Sequence, residues 1–135
     1  MDMDHRIIIP EGLHFAPDFK ECELIYKEDE LPFMWLQEIK KNGEYFLVFD
    51  PIGTIPDYIL EINDQDESFL DLQDESDVLV VCPITIRSQN VSTPEISANL
   101  ASPIVINRRT RVGRHLLLAN FEKYPGEYEL DPDKS

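Results

Sequence analysis

Three residues of this chain could form a nucleophilic site if folding brought them together. Cys82 or Ser102 could attack a carbonyl carbon with His115 as the base, because a weak nucleophile needs a neighbouring group that takes its proton. Neither residue lies in a recognisable nucleophile elbow such as Gly-x-Ser-x-Gly. Cys82 stands in the apolar run LVVCPITI, which is typical of a buried strand. A hydrolase stays open as an alternative, but the sequence places no nucleophile beside a base.

The segment DQDESFLDLQDE carries oxygen ligands at the spacing of a calcium-binding loop. Asp64, Asp66, Ser68 and Glu75 occupy the first, third, fifth and twelfth places of such a loop. The sixth place is Phe69, where a calcium loop has glycine for its sharp turn. We therefore expect no calcium site.

Other metal and cofactor motifs are missing from the sequence. It contains no Cys-x-x-Cys pair, no His-Glu-x-x-His and no glycine-rich phosphate loop. Cys22 and Cys82 lie in apolar runs and are expected to be reduced and buried. Trp35, in PFMWLQ, is expected to pack in the core or at an interface. We expect no cofactor and no metal.

A cluster of arginines follows a β-branched run near the C-terminus. Arg108, Arg109, Arg111 and Arg114 surround one glycine, and such clusters can bind phosphate in a bidentate manner. An RNA-binding module that uses an Arg108–Arg114 hairpin is therefore an alternative function. No aromatic residue lies among these arginines to stack on bases. We expect instead that they are solvated or paired with the protein's own acidic residues.

The overall charge argues against direct nucleic-acid binding. The 135 residues include 27 acidic and 12 basic ones, a formal net charge of -15 that repels phosphate and favours a basic protein partner. No basic residue lies between Lys41 and Arg87, whereas arginines dominate from Arg87 to Arg114. The molecule is expected to be dipolar if these regions lie on different faces, and neutralised if they touch.

Length and hydropathy predict a single domain in the cytoplasm. A chain of 135 residues can bury one sufficient core. The start, MDMDHRIIIPEGL, is too acidic for a secretory signal, and no apolar run approaches the roughly 18 residues of a membrane span.

Short runs rich in Val, Ile, Tyr and Phe predict an all-β fold. The fold class that we expect is a small antiparallel β-barrel-like single domain, residues 1–135, with one short helix within Asn63–Glu75 that Asn63 or Asp64 caps. A hairpin turn is predicted at Lys41-Asn42-Gly43, and residues 127–135 are polar enough to fray. Predicted strands are His5–Ile9, Glu21–Lys27, Phe33–Ile39, Glu44–Asp50, Tyr58–Ile62, Asp77–Arg87, Ile104–Asn107 and Arg114–Asn120.

Five motifs follow one another along the chain. They are Gly12-Leu13 with Phe15, Pro32-Phe33-Met34-Trp35-Leu36-Gln37, Asp50-Pro51 with Tyr58, NLASPIVIN from Asn99 to Asn107, and Arg111-Val112-Gly113-Arg114. In order and spacing this set resembles the FliW family of flagellar assembly factors. His14, Ala98, Ser102 and His115 stand where that family commonly has a second Gly, Thr, Ala and Gln.

The resemblance implies a non-enzymatic, chaperone-like regulator with a small β-barrel-like fold. FliW-like proteins bind flagellin in the cytoplasm and, in its absence, the RNA-binding translational repressor CsrA, which then no longer silences flagellin messenger RNA. We expect both proteins as partners, no direct nucleic-acid or membrane binding, and a monomer when the protein is free.

The resemblance also selects a candidate site, the loop Asn99 to Asn107 with its neighbours Asp50-Pro51 and Tyr58. The alternative is that these residues merely close the barrel, with Pro103 and the asparagines needed only for turn geometry. The predicted partner-binding residues are Asp50, Pro51, Tyr58, Asn99, Leu100, Ser102, Pro103, Ile104 and Asn107.

Overall fold

Short antiparallel strands and one helix make up the described part of the chain. A computed structural model describes residues 6–39, 43–87 and 95–130. Proline, glycine and asparagine interrupt the β-branched and aromatic runs, which keeps most strands short. The elements in those ranges are β1 (Arg6–Ile8), β2 (Glu21–Ile25), β3 (Phe33–Glu38), β4 (Tyr45–Phe49), α1 (Asp64–Leu70), β5 (Val78–Arg87), β6 (Glu95–Ala98), β7 (Ile104–Asn107), β8 (Gly113–His115) and β9 (Tyr128–Leu130), with 3₁₀ turns at Glu28–Glu30, Glu75–Asp77 and Phe121–Lys123.

The long strand β5 organises the sheet. The strand order is β1-β2-β3-β4-β5-β6-β9, and each of these neighbours pairs antiparallel. Residues 78–81 of β5 pair with β7, Cys82 and Pro83 pair with β4, and residues 84–87 pair with β6. β7 continues into β8, with Ile104 opposite His115.

The described strands curl without closing into a continuous barrel. β1 meets the segment before β8 through an isolated parallel bridge between Ile8 and Val112. The Ile8 N–H donates to the Arg111 carbonyl at 2.9 Å. The predicted all-β fold with one helix is confirmed. The sheet is barrel-like only in a loose sense, because its described strands do not close.

Two hydrophobic clusters flank β5 and β7. Successive side chains of a strand point to opposite faces, so strands without polar alternation are buried on both. Val81 and Ile104 join a cluster formed mainly by β1 to β4. Val80 and Val105 join a second cluster beneath the 58–62 segment and α1.

The predicted strands are only partly confirmed. The β3–β4 hairpin forms, with Phe33 opposite Phe49, while Lys41 and Asn42 of its predicted turn lie outside the described residues, as does His5 of the first predicted strand. Tyr58–Ile62 was wrongly predicted as a sheet strand, because side chains rather than a neighbouring strand hold its backbone.

Towards the C-terminus the observed strands differ from the predicted ones. The return strand is limited to Gly113–His115 instead of Arg114–Asn120, although the N–H groups of Leu116 and Leu118 still donate to the carbonyls of Pro103 and Ala101. β6, which the sequence did not predict, pairs with β9. Residues 128–130 form β9, residues 131–135 lie outside the described part, and the fraying expected for 127–135 stays a prediction.

The single α-helix forms where it was predicted. The Asn63 side-chain oxygen accepts the Asp66 N–H at 2.9 Å, which confirms Asn63 as the N-cap. The helix ends at Asp71, which adopts a left-handed conformation. Leu70 is buried, whereas Phe69 is 38% exposed.

Candidate functional site

The Asn99 to Asn107 element consists of the connection that follows β6 and of strand β7 itself. The Asn99 side-chain oxygen accepts the N–H groups of Ala101 and Ser102, both at 3.1 Å, which fixes the turn. In this conformation the side chains hold the fold together, so a partner would meet the surface that they shape. The buried members are Leu100, Ala101, Ser102, Pro103, Ile104, Val105, Ile106 and Asn107.

Asn107 joins the arginine turn to α1. Its side-chain nitrogen donates to the carbonyls of Leu70 (2.7 Å) and Asp71 (3.1 Å), the unpaired carbonyls at the helix end. Its side-chain oxygen accepts the N–H groups of Arg109 (2.7 Å) and Thr110 (3.2 Å). Because Asn107 is fully buried, these four bonds satisfy groups that water cannot reach.

Tyr58 is brought against the same element. Its hydroxyl donates to the Leu100 carbonyl at 2.6 Å and lies 3.9 Å from the Cys82 sulfur. Burial raises the pKa of the Tyr58 hydroxyl. Tyr58 therefore ties the 58–62 segment to the β6–β7 connection and presents little surface of its own.

Asp50 and Pro51 begin the connection that leads from β4 to Tyr58. An Asp50 carboxylate oxygen accepts the Ile52 N–H at 3.0 Å. Burial raises the pKa of Asp50, and the Ile52 bond and the positive charge of Arg108 oppose that shift. Pro51 is buried, whereas Ile52 is 52% exposed. Ile52 is therefore an exposed apolar side chain of this loop, and it is not among the predicted partner-binding residues.

Arg109 pairs with the acidic region. Its guanidinium lies 3.3 Å from an Asp71 carboxylate oxygen and 3.7 Å from one of Asp77. Hydrogen bonds from Gln73 and Arg109 hold the pKa of Asp71 below its usual value. The interpretation that the arginines pair within the protein is confirmed at Arg109.

Arg114 is engaged more fully. It binds both carboxylate oxygens of Glu11, at 2.8 and 3.2 Å, and one oxygen of Asp66 at 3.1 Å. Its guanidinium also lies 4.0 Å from the centre of the Phe69 ring. The arginine turn and the acidic region thus touch, and Asp66, Asp71 and Asp77 of that region are paired with arginines, which is a partial neutralisation.

His115 is buried and stacks on the exposed His14. Its ring lies on the His14 ring with 3.7 Å between centroids, and its Nδ1 accepts the His14 backbone N–H at 3.0 Å. Its Nε2 lies 3.1 Å from the Ser102 carbonyl. Burial and the neighbouring His14 lower the pKa of His115 to about 4. The Ser102 hydroxyl donates to the Leu116 carbonyl, so it is not directed at His115 as a nucleophile would be.

Both cysteines are free and buried, which confirms their predicted burial. Burial raises the pKa of Cys22 and of Cys82 to about 12, so both are neutral thiols at neutral pH. Cys82 contacts the Tyr58 hydroxyl, and within the described ranges it has no hydrogen bond to His115. The geometry does not support a Cys82–His115 pair.

A groove that the sequence did not predict lies beside Tyr58. Its volume is about 960 Å³. The Tyr58–Ile62 segment lines it, together with the apolar residues Leu72, Val78 and Val80. The one sequence signal for it is the largely apolar run Tyr58–Ile62, which predicts a strand that in fact lacks a sheet neighbour.

Trp35 lies on the outer face of β3. It is 37% exposed and meets the Tyr45 ring edge to face, with 5.3 Å between centroids. In the pairing of β2 with β3, Ile25 of β2 lies opposite Trp35. The core interpretation of Trp35 is therefore wrong, and packing at an interface stays a prediction.

The described residues contain neither a cluster of potential metal ligands nor a helix suited to crossing a membrane. In residues 6–39, 43–87 and 95–130, no group of three or more His, Cys, Asp or Glu side chains could hold a metal ion. None of the helices in those ranges is long and apolar enough to cross a membrane.

Comparisons with known proteins agree with the motif pattern. The family model described as FliW protein matches residues 1–130. The flagellar assembly factor FliW of Caldicellulosiruptor bescii is 33% identical over 127 residues, which cover 94% of this chain and 80% of that protein. The flagellar assembly factor FliW of Caldanaerobacter subterraneus subsp. tengcongensis is 35% identical over 122 residues, covering 87% of this chain and 77% of that protein.

A solved structure gives the same result for the fold. The crystal structure of a flagellar assembly factor FliW superposes with a TM-score of 0.79 at 26% sequence identity, covering 100% of this chain and 91% of that one. The family match spans nearly the whole chain, and its likeness extends to the fold. The chain therefore belongs to the FliW family of flagellar assembly factors.

Proposed function

We propose that this protein is a partner-switching regulator of flagellar assembly. It binds flagellin and, when flagellin is absent, a CsrA-type RNA-binding repressor, and it thereby relieves repression of flagellin messenger RNA. It acts in the cytoplasm by occupying other proteins, without catalysing a reaction, and is a monomer when free. The observation that carries this proposal is the family match over residues 1–130.

The charge of the molecule supports a basic protein partner. The net charge is -15, and pairing inside the protein engages Arg109 and Arg114. A repressor that binds RNA needs a positive surface, which a negative field attracts and steers into encounter. Partner exchange then requires only that the two partners exclude each other.

The predicted site residues would act mainly by shaping a surface. Asn99 and Pro103 hold the β6–β7 connection, and Tyr58 anchors the neighbouring segment to it. Ile52 and Ile59, exposed by 52% and 56%, are the apolar side chains that this frame displays. We therefore propose that the partner contacts Ile52 and Ile59.

RNA binding by the arginine hairpin is the weaker alternative. Arg109 and Arg114 already bind carboxylates, so phosphate would have to displace Asp71 and Glu11. Titration of labelled flagellin leader RNA at low salt, without any repressor, tests this directly. We expect no binding; saturable binding would favour the RNA-binding module.

The proposal is tested with purified repressor and titration calorimetry. Ile52→Asp should weaken binding at least tenfold, because a charge would be buried in the interface. Tyr26→Asp is the matched control, because Tyr26 is 55% exposed and lies outside this surface. The affinity of this variant for the repressor should differ from that of the wild type by less than twofold. Failure of the wild type to bind either repressor or flagellin would refute the function.

The frame residues require a separate comparison. Asn99→Ala and Pro103→Ala are to be compared with the wild type under conditions in which all are folded to the same extent. Each should weaken repressor binding by a smaller factor than Ile52→Asp, because the change is transmitted through the shape of the connection. Unchanged binding in both variants would remove the predicted site.

A further inference from the structure

The Tyr58–Ile62 segment has the hydrogen-bonding pattern of a strand along one edge only. The Ile59 N–H donates to the Tyr124 hydroxyl at 2.7 Å, and the Ile59 carbonyl accepts from Asn120 at 3.0 Å. The Glu61 N–H donates to the Asn120 side chain at 3.3 Å, and the Glu61 carbonyl accepts from the Ala119 N–H. Alternate residues thus direct both backbone groups towards residues 119–124, as in an antiparallel ladder.

The intervening residues face the opposite way. In extended backbone the N–H and C=O groups of successive residues alternate in direction, so Leu60 and Ile62 direct theirs away from residues 119–124. Among the residues that the structure describes, neither of these N–H groups has a hydrogen-bond partner. The groove of about 960 Å³ borders this edge. The segment is therefore an unpaired strand edge beside a groove.

The groove has an apolar part and an acidic rim. Besides the segment itself, Leu72, Val78 and Val80 supply an apolar wall to the groove. Four acidic residues also line the groove, and among the described residues no lysine or arginine does. The acidic residues are Glu61, Glu67, Asp74 and Glu75.

We propose that this groove binds an extended segment of a partner protein, which adds as a strand along Leu60–Ile62. The segment would carry apolar side chains at alternate positions and basic residues at its ends, which match the apolar wall and the acidic rim. The inference rests on the proposed function only in requiring that the partner be a protein. It adds the mode of binding and the sequence chemistry of the bound segment.

A synthetic probe tests the backbone part of the proposal. The probe is a fluorescein-labelled nonapeptide with alternating valine and threonine at its centre and two lysines at each end, and binding is followed by fluorescence anisotropy. N-methylation of one alternate set of backbone nitrogens should weaken binding at least tenfold, whereas N-methylation of the other set should change it less than threefold. Equal effects of both sets, or no binding of the unmodified probe, would overturn the proposal.

Charge variants test the rim. Glu61→Lys with Glu75→Lys should weaken binding of the lysine-flanked probe at least tenfold and strengthen binding of a glutamate-flanked probe. The control, Glu28→Lys with Glu30→Lys, makes the same change of net charge on an exposed 3₁₀ turn. It should alter the affinity for each of the two probes by less than threefold. Equal effects of the two pairs would overturn the rim's role.

The outcomes separate this inference from the proposed function. The unmodified probe, added in excess, should compete with the repressor or with flagellin for the wild-type protein. If both proteins bind and neither is displaced, the groove inference fails while the partner-switching function stands. The measurements with N-methylated peptides use only the wild-type protein, so they remain valid even if a charge variant fails to fold.

Discussion

His115→Gln should remove a large part of the acid sensitivity of this fold. His115 accepts the His14 backbone N–H at Nδ1, so Nε2 carries the proton of the neutral ring and donates to the Ser102 carbonyl. Protonation of Nδ1 would set two N–H groups against each other inside the fold. Geometry and burial thus both favour the neutral ring, in agreement with its pKa of about 4.

The size and sign of the effect follow from linkage. An unfolded histidine has a pKa of 6.5 and therefore takes up a proton before the folded one, whose pKa is about 4. The stability that the neutral ring provides is complete above pH 6.5, falls as the pH decreases, and is lost below about pH 4. A difference of this size corresponds to about 3 kcal/mol.

Urea unfolding followed by Trp35 fluorescence measures this at a series of pH values. Between pH 7 and pH 4 the wild type should lose about 3 kcal/mol more unfolding free energy than His115→Gln, because the carboxylates contribute equally to both proteins and cancel in the difference. His14→Gln keeps the backbone N–H that His115 accepts but removes the neighbouring imidazole that helps to lower the pKa of His115, so its loss should fall between those of the wild type and His115→Gln. Equal losses in wild type and His115→Gln would refute the reasoning.

Three further outcomes are expected. Asn107→Leu should lower the unfolding free energy by about 3 kcal/mol or more in urea melts, because the backbone groups that the Asn107 side chain now binds would lose that partner. A loss below about 1 kcal/mol would contradict this. Arg114→Ala should cost about 1 to 2 kcal/mol, less at high salt, since its bond to the exposed Glu11 is screened; a loss unchanged by salt would contradict the ion pair. Cys22 and Cys82 should react with Ellman's reagent at pH 7 only in denaturant, and rapid labelling of folded protein would contradict their burial.

Local patterns predicted the parts of the fold that local chemistry determines. Asn63 caps α1 because its short side chain reaches the N–H groups of the first turn. The β3–β4 hairpin follows from two apolar runs separated by turn residues. The pairing of the arginine turn with acidic residues was also predictable, since the net charge leaves every arginine surrounded by potential partners.

Features that depend on contacts distant in sequence were not predictable. Tyr58–Ile62 has the composition of a strand, but Asn120 and Tyr124 hold its backbone where a neighbouring strand would. Strand β6 was missed because its partner β9 lies in a segment that looks like a polar tail. The loop Asn99 to Asn107 was identified as distinctive by its motif, yet the motif does not reveal that its side chains are buried.

One measurement tests partner switching most directly. Labelled flagellin leader RNA is bound to the repressor, this protein is added, and flagellin is then added, with RNA anisotropy followed throughout. The anisotropy should fall when this protein is added, because the repressor is captured, and rise again when flagellin displaces the repressor. Anisotropy that stays high after this protein is added, or that does not recover with flagellin, would contradict partner switching.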